Sequence, residues 1–323
     1  MANMKFALFC LAVMTAILNL SCGQNAASAP SSPSAPAEIF EEIPSPVPTP
    51  SKYEEIDIIE QISMGGKDNP PASITVDNYK IRKETVRKKD DADSPVTDIS
   101  DAVLSKNGKT IARFEGIYYP LGNSMSFGLF SFLGTSEKQL LIVDETNRYD
   151  REWIISLSPK YEVLFDAADY HVQGGYMRLI DIDKDGVYEL FYGVYIPLSF
   201  MFSRSSTPLQ MVVFKFDAKT RRYLPATHIF TDYTLAGIDE KVQSFNNNRV
   251  NSLSALLKIF ITYVYAGKEE EAWKFFDHEG LNFSTQETFS GKVEGKEQII
   301  KHIKNALDDD PIYRFIRRDL KRK

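Results

Sequence analysis

The stretch Tyr176-Met-Arg-Leu-Ile-Asp-Ile-Asp-Lys-Asp-Gly-Val-Tyr-Glu-Leu190 indicates most directly how this chain folds. A short apolar run ends at Ile180. A polar turn with alternating aspartates and a glycine follows, and a second apolar run extends from Tyr188 to Tyr195. Short β-favouring runs on either side of an Asp- and Gly-rich turn are typical of a β-hairpin. The stretch therefore predicts two antiparallel strands joined by an acidic loop.

The same strand–turn–strand pattern extends over residues 101–235. Its other β-favouring runs are Thr110–Phe114, Phe127–Leu133, Gln139–Val143, Trp153–Leu157, Tyr161–Phe165 and Met211–Phe216. Polar turns are predicted to begin at Asn107, Asp144, Asp181 and Asp217, at intervals of about 37 residues. A period near 40 with several strands per unit predicts an all-β domain, either a meander or sandwich or a propeller-like ring.

The C-terminal part, residues 249–323, has a helical period instead. The predicted helices are Val250–Tyr265, Glu269–Phe276, Lys296–Leu307 and a fourth that Asp310 caps and Pro311 begins. The joint between the first two, Tyr263 to Trp273, resembles that of a TPR-type helical hairpin. The predicted fold class is therefore α+β and multidomain, with the β-domain at 101–235 followed by a small helical domain at 249–323.

The acidic loop is the motif with the clearest chemistry. Asp181, Asp183 and Asp185 alternate, Gly186 follows, and Glu189 comes three residues later. Several carboxylates in one tight loop offer the hard oxygen ligands that Ca²⁺ prefers. An EF-hand needs a glutamate at loop position 12, where this chain has Tyr192, so the loop is not an EF-hand.

The loop resembles the D-x-D-x-D-G-x-x-[DE]-L loop of FG-GAP/VCBS-type repeats, which joins two strands and often binds Ca²⁺. The resemblance implies a structural Ca²⁺ held by the side chains of Asp181, Asp183, Asp185 and Glu189 and by a carbonyl near Val187. It covers one repeat only, because the turns at 144 and 217 lack alternating acids. A metal-free hairpin, in which Asp and Gly only shape the turn, is the alternative.

The N-terminus has the features of an export signal. Lys5 precedes the apolar run Phe6–Leu18, and thirteen helical residues would span only about 20 Å, which is too short to cross a bilayer core of about 30 Å. A short apolar run after a positive charge predicts a signal peptide over residues 1–22. The Ala-, Ser- and Pro-rich residues 23–52 predict an extended, unstructured tether.

The signal peptide ends at Ser21-Cys22, which resembles the lipobox of bacterial lipoproteins, although Asn19 and Leu20 differ from its usual residues. This resemblance implies that Cys22 is lipidated, for example with palmitate, and holds the protein on a membrane of the cell envelope. Gly23 is not the aspartate associated with inner-membrane retention, which favours the outer membrane. A general secretory signal cleaved nearby is the alternative.

Composition narrows the function classes. The 323 residues include 43% hydrophobic and 25% charged residues, which is ordinary for globular proteins. With 38 basic and 44 acidic residues, the slightly acidic balance argues against nucleic acid as the main partner, because phosphate binding needs a dense basic face. Cys10 lies within the signal, so the mature domains have no disulfide, zinc-thiolate site or cysteine nucleophile. The segment 53–100 is transitional, and its charged part, Arg82–Asp93, predicts a solvated loop or hairpin end.

Catalytic motifs are not evident in the sequence. The four histidines form no H-E-x-x-H pair, and there is no G-x-S-x-G or phosphate-binding glycine loop. We therefore expect a non-enzymatic lipoprotein of the cell envelope, with an envelope protein or polymer as its partner besides the membrane and with no catalytic residues assigned. The alternative is an envelope hydrolase that uses carboxylates of the β-domain.

Overall fold

Three antiparallel sheets and a group of helices make up the described part of the chain. The computed structural model describes residues 55–57, 72–88, 97–116, 123–145, 150–170, 172, 177–195, 209–248, 253–278 and 295–322. The strands are β1 (Glu55–Asp57), β2 (Ser73–Val76), β3 (Tyr79–Lys88), β4 (Thr97–Lys106), β5 (Lys109–Phe114), β6 (Ser124–Phe130), β7 (Gln139–Glu145), β8 (Asp150–Ser156), β9 (Glu162–Asp166), β10 (Arg178–Ile180), β11 (Glu189–Tyr195), β12 (Leu209–Asp217) and β13 (Arg222–Pro225).

In each sheet, strands that are neighbours in sequence pair as an antiparallel meander, except that β1 joins the edge of the third sheet by pairing with β10. Sheet 1 has the order β2-β3-β4-β5, sheet 2 the order β6-β7-β8-β9, and sheet 3 the order β1-β10-β11-β12-β13. Turn residues set the register. Asn107 and Gly108 both have positive φ (51° and 79°) and form the two-residue turn between β4 and β5, the Asn-Gly combination that favours tight hairpins.

Sheet 2 is buried on both faces. Leu140 and Ile142 pack with residues of sheet 1, including Leu104. Leu141 and Val143 point the other way and pack with sheet 3. This is why β7 is a continuous apolar run, whereas a strand with one solvated face would alternate apolar and polar residues. The three sheets therefore stack face to face, with sheet 2 in the middle.

A buried polar contact crosses the apolar interface between sheets 2 and 3. Tyr192 of β11 is fully buried, and its hydroxyl donates to a carboxylate oxygen of Glu152 on β8 and contacts the Met177 sulfur at 2.9 Å. Burial and the neighbouring Glu152 carboxylate raise the pKa of the Tyr192 hydroxyl far above its usual range. The hydroxyl therefore stays protonated and remains a donor to Glu152.

The helices follow the last strand. They are α1 (Thr231–Thr234), α2 (Ile238–Asn248), α3 (Leu253–Tyr265), α4 (Glu269–His278), α5 (Lys296–Asp309) and α6 (Pro311–Leu320). Gly267 lies just after α3 and terminates it: Gly267 N donates to Val264 O, and Lys268 N donates to Tyr263 O. This pair of bonds is a Schellman motif, and the φ of 79° at Gly267 is the left-handed conformation that the motif requires.

The helices share a hydrophobic core with sheets 2 and 3. Leu257 and Phe260 of α3 belong to the same buried cluster as Val212 of β12 and Leu141 of β7. Thr262 of α3 also donates to the Gln210 side-chain oxygen on β12, at 2.9 Å. Apolar side chains of α4, α5 and α6 complete this cluster. The helical segment therefore packs directly against the sheets within the unit Pro46–Lys323.

Most predicted elements are confirmed. The fold is α+β, the eight β-favouring runs all contain strands, and Asp310 caps α6 with Pro311 in its first turn. The predicted turn at Asp144 is wrong: this residue lies within β7, fully buried and paired with Met125. Of the charged segment Arg82–Asp93, residues up to Lys88 belong to β3 rather than to a loop. The helix α2 was not predicted, because its sequence is largely polar.

No helix among the described ranges is long and apolar enough to serve as a membrane span.

The cap of α6 yields a stability prediction. The Asp310 carboxylate accepts from Ile312 N at 2.8 Å and from the buried Tyr265 hydroxyl. Asp310→Ala removes both bonds and should lower the free energy of unfolding by about 2–4 kcal/mol. Its exposed neighbour Asp309 is the matched control, and Asp309→Ala should cost less than about 0.5 kcal/mol. Urea unfolding of both variants measures this; equal losses would contradict the assigned role of Asp310.

Candidate metal centre

The acidic loop joins β10 to β11 at one end of sheet 3. The pair Ile180 and Glu189 closes the hairpin, so residues 181–188 form the loop itself. Lys184 and Gly186 have positive φ, 62° and 86°. A Cβ added at Gly186 would meet nothing, so the glycine serves backbone conformation rather than space. This backbone reverses the chain and brings the acidic side chains together.

Backbone amides fix the orientation of three carboxylates. Gly186 N donates to Asp181 Oδ2 at 3.0 Å, Val187 N donates to Asp185 Oδ1 at 2.8 Å, and Ile182 N donates to Glu189 Oε2 at 2.8 Å. Each bond occupies one oxygen of its carboxylate; the second oxygens of Asp185 and Glu189 contact Lys215, and the second oxygen of Asp181 has no hydrogen-bond partner among the described residues. The loop is therefore ordered by its own hydrogen bonds.

Three of the acids converge. One carboxylate oxygen from each of Asp181, Asp183 and Glu189 lies within 4.8 Å of the others. The Glu189 side chain is 0% exposed. Asp181 Oδ1 is buried and has no hydrogen-bond partner among the described residues. A buried carboxylate oxygen without a donor is costly, so this oxygen is a candidate ligand atom for a cation.

A lysine ammonium lies in contact with the same acids. Lys215 Nζ is 2.5 Å from Asp183 Oδ2, 3.0 Å from Asp185 Oδ2 and 3.3 Å from Glu189 Oε1. Lys215 belongs to β12, whose pairing of Phe214 with Leu190 places Lys215 across from Glu189. The side chain is 26% exposed, so the ion pairs are partly shielded from water. Lys215 therefore supplies one positive charge to a group of four acids.

The pKa shifts follow from burial and from these contacts. Burial raises the pKa of Glu189 to about 7, although the Ile182 amide and Lys215 oppose the shift. Burial also disfavours the charged form of Asp185, but the Val187 amide and Lys215 outweigh it and lower the Asp185 pKa. For Lys215, bonds to Asp183 and Asp185 outweigh burial and raise the pKa. The ammonium therefore remains charged at neutral pH.

The loop rests on sheet 2. Tyr188 N donates to Phe132 O at 3.0 Å, and the buried Tyr223 hydroxyl donates to Tyr188 O at 3.2 Å. Gly134, in the loop between β6 and β7, comes so close that an added Cβ would lie 1.7 Å from Gly186 O. These contacts hold the position of the acidic loop relative to the neighbouring sheet.

The structure brings together Asp181, Asp183 and Glu189 from the predicted ligand set and connects Asp185 to them through Lys215. Val187 contributes its N–H to Asp185, and its carbonyl as a ligand stays a prediction. The lipidation site Cys22 lies outside the described residues. Lys215 was missed, because the only sequence signal for it is its position in β12, and the partner of β12 is known only once the strands are paired.

No family model, curated protein or solved structure matches this chain. The chemistry of the site is therefore inferred from its own residues.

The close approach of the two loops can be tested with a pair of glycines. Gly134 and Gly108 both have positive φ, 65° and 79°, but an added Cβ at Gly108 would meet nothing within 4 Å. Gly108→Ala should therefore cost only backbone strain, about 1 kcal/mol. Gly134→Ala adds a collision with the Gly186 carbonyl and should cost about 2 kcal/mol more. Thermal unfolding measures both; equal shifts in melting temperature would contradict the contact.

Proposed function

We propose that this protein is an exported bacterial lipoprotein, anchored to a membrane of the cell envelope through acyl chains on Cys22. Its folded part is a non-enzymatic binding or structural module that a Ca²⁺ ion stabilises at the acidic loop. Its partner is an envelope protein or polymer, and the outer membrane is the proposed location. The observation that carries the anchoring is the apolar run Phe6–Leu18, which Ser21-Cys22 follows closely.

Residues 23–52 support the anchor. Seven prolines between Pro30 and Pro50, among alanines and serines, are a composition typical of an extended spacer. Such a spacer would separate the folded part from the bilayer surface. With Cys22 at its start, the spacer connects the lipid to the sheets.

The donor set at the acidic loop fits a calcium ion. Only oxygen ligands are present, Asp181 Oδ1 is buried without a donor, and the backbone bonds already aim the carboxylates inward. Asp181, Asp183, Asp185 and Glu189 would hold the ion, with the Val187 carbonyl as the further ligand that the FG-GAP/VCBS resemblance implies. Four acids against one lysine leave negative charge that a divalent cation would neutralise.

The arrangement of the sheets supports a propeller-like form of the β region. Three consecutive four-stranded meanders, with β1 added to the third, stack face to face through apolar side chains. Radially repeated four-stranded meanders are the unit of β-propellers. The acidic loop joins the first two strands of the third meander.

The contacts of the loop favour binding over catalysis. A hydrolase that uses carboxylates needs two that converge on a substrate, one as acid and one as base or nucleophile. The loop carboxylates contact Lys215 and backbone amides instead. Such contacts suit an ion site, in which carboxylates are oriented in advance and their remaining negative charge is met by a cation.

Anchoring is tested on the two cysteines. In bacteria that express the full chain, Cys22→Ser should abolish incorporation of radiolabelled palmitate and move the protein out of the membrane fraction. Cys10→Ser, inside the apolar run, is the matched control and should retain both properties. Unchanged labelling and fractionation in Cys22→Ser would show that this thiol does not anchor the protein.

Calcium binding is tested by titration calorimetry and melting temperature, with Mg²⁺ for comparison. Millimolar Ca²⁺ should release or absorb heat and raise the melting temperature, because a ligand that binds only the folded state stabilises it. Asp183→Asn should abolish both signals, because it removes one of the ligand carboxylates. The only described contact of this carboxylate is with Lys215, so the substitution breaks no backbone hydrogen bond. Asp309→Asn, at an exposed position on α5, should leave them unchanged. Absence of heat and of a melting shift in the unmodified protein would exclude the ion.

The role of Lys215 follows from its position. Because its ammonium contacts the same oxygens that would bind Ca²⁺, the two cations compete. Lys215→Met should therefore tighten Ca²⁺ binding at least about tenfold, since charges a few ångströms apart interact by several kcal/mol near a protein surface. In chelator, the same variant should melt at a lower temperature. If only Lys215→Met binds Ca²⁺, the lysine itself is the resident cation of the loop.

A further inference from the structure

The last helix and the turn that follows it carry a continuous basic face. Arg314, Arg317, Arg318, Lys321 and Arg322 follow one another at spacings of three, one, three and one, and all five are exposed. On a helix of 3.6 residues per turn these positions lie along one side. We call this set the basic stripe. The chain as a whole has six more acidic than basic residues, so the stripe is a local reversal of charge.

The stripe is held at a fixed orientation. Ile312 and Ile316 on the opposite side of α6 are buried in the main core. The Tyr313 hydroxyl donates to Glu269 of α4 at 3.0 Å. Near the end of the helix, Asp319 Oδ2 lies 2.8 Å from Nε2 of His228, whose side chain is 0% exposed. Contacts at both ends of α6 therefore prevent the helix from turning its basic side inward.

The acids near the stripe only partly neutralise it. Asp308 lies 3.7 Å from Arg317, but both side chains are about half exposed or more, so this pair is weak. The Asp319 carboxylate is directed to His228. Arg222 of β13 does not add to the stripe, because it pairs with Asp169 at 3.4 Å. The stripe therefore keeps a positive field toward solvent.

Apolar groups accompany the cations. Leu320 is 41% exposed, and the Arg318 guanidinium lies over the ring of the half-buried Phe315 at 5.3 Å. Basic side chains with exposed apolar neighbours on one helix are typical of surfaces that bind anionic lipid headgroups. A flat bilayer can meet this one face alone. A polyanion that wraps the protein would also meet the excess of acidic residues elsewhere.

From these observations we propose that the basic stripe of α6 binds the surface of a bilayer that contains anionic phospholipid. The stripe would orient the folded part on the membrane. This interaction adds to the proposed acyl anchor but does not require it, because it depends only on α6 and on the charge of the lipid.

The test compares binding to two kinds of vesicle. The full chain with Cys22→Ser is mixed with vesicles of phosphatidylcholine alone, or with vesicles in which about 30% of the lipid is anionic phosphatidylglycerol. An anionic fraction of this size attracts basic segments strongly. Any contribution of the apolar N-terminus is common to both vesicles. We expect tighter binding to the anionic vesicles and loss of this preference at high salt, because the attraction is screened.

The triple variant Arg314→Gln, Arg318→Gln and Arg322→Gln removes three charges and keeps good helix formers. Each basic residue near an anionic surface is worth about fivefold in binding. The variant should therefore lose at least about tenfold of the anionic preference. The triple variant with lysine at the same three positions keeps the charge and should retain the anionic preference. It therefore separates an effect of charge from an effect of misfolding. A matched triple, Lys109→Gln, Lys138→Gln and Lys219→Gln, removes three exposed charges elsewhere and should have little effect.

Two results would overturn the proposal. One is that the Cys22→Ser protein shows no preference for anionic vesicles, or that the arginine triple and the lysine triple reduce this preference equally. The other is binding to short duplex DNA, but not to the anionic vesicles, that depends on the stripe. Failure of the acyl anchor would appear separately, as unchanged palmitate labelling and fractionation of Cys22→Ser in cells.

Discussion

Burial of both faces of sheet 2 is the constraint on which the rest of the structure depends. A strand such as β7 can bury Leu140 and Leu141 in opposite directions only if a layer covers each side. Sheet 1 covers one side, and sheet 3 with the helices covers the other. Burial of apolar area is the main favourable term in folding, at roughly 25 cal/mol per Å². The sheets therefore stack because the apolar runs have apolar side chains on both faces of the strand, rather than apolar and polar residues in alternation.

The position of the acidic loop is a consequence of this stacking. Sheet 3 can place its hairpin beside the β6–β7 loop because sheets 2 and 3 pack through Tyr192 and its neighbours. The backbone at Phe132 and Gly134 then contacts the acidic loop. On the other side, β12 brings Lys215 opposite Glu189. The acidic carboxylates, the Lys215 ammonium and the contacting backbone of the β6–β7 loop come from three separate parts of the chain. Only the assembled sheets bring them together.

Local signals in the sequence were sufficient for most elements. The apolar runs predicted the strands, Asn107-Gly108 predicted a turn, and Asp310-Pro311 predicted the start of α6, since each depends on a few neighbouring residues. Asp144 was assigned to a turn because aspartate favours turns. In the structure, a bond from Asn123 compensates its burial instead. The periodicity of turns could not reveal this, because Asn123 lies twenty-one residues away in sequence.

The candidate site was predictable to the same extent. The acids of residues 181–189 are close in sequence, and their convergence follows from the tight turn. Lys215 is distant, and its approach depends on the register of β11 with β12. The cations of α6 are likewise close in sequence, whereas the anchoring of that helix by His228 and Glu269 is a tertiary property.

The contact between Gly134 and Gly186 has a consequence for how this protein can evolve. Two backbones touch where both positions limit variation for different reasons: a methyl group at 134 would collide with a carbonyl, whereas at 186 there is space but the left-handed conformation disfavours a side chain. Substitutions at either position would therefore lower folding stability, more at 134 than at 186. The two loops therefore form a point of low mutational tolerance, whatever liganding groups are gained or lost around them.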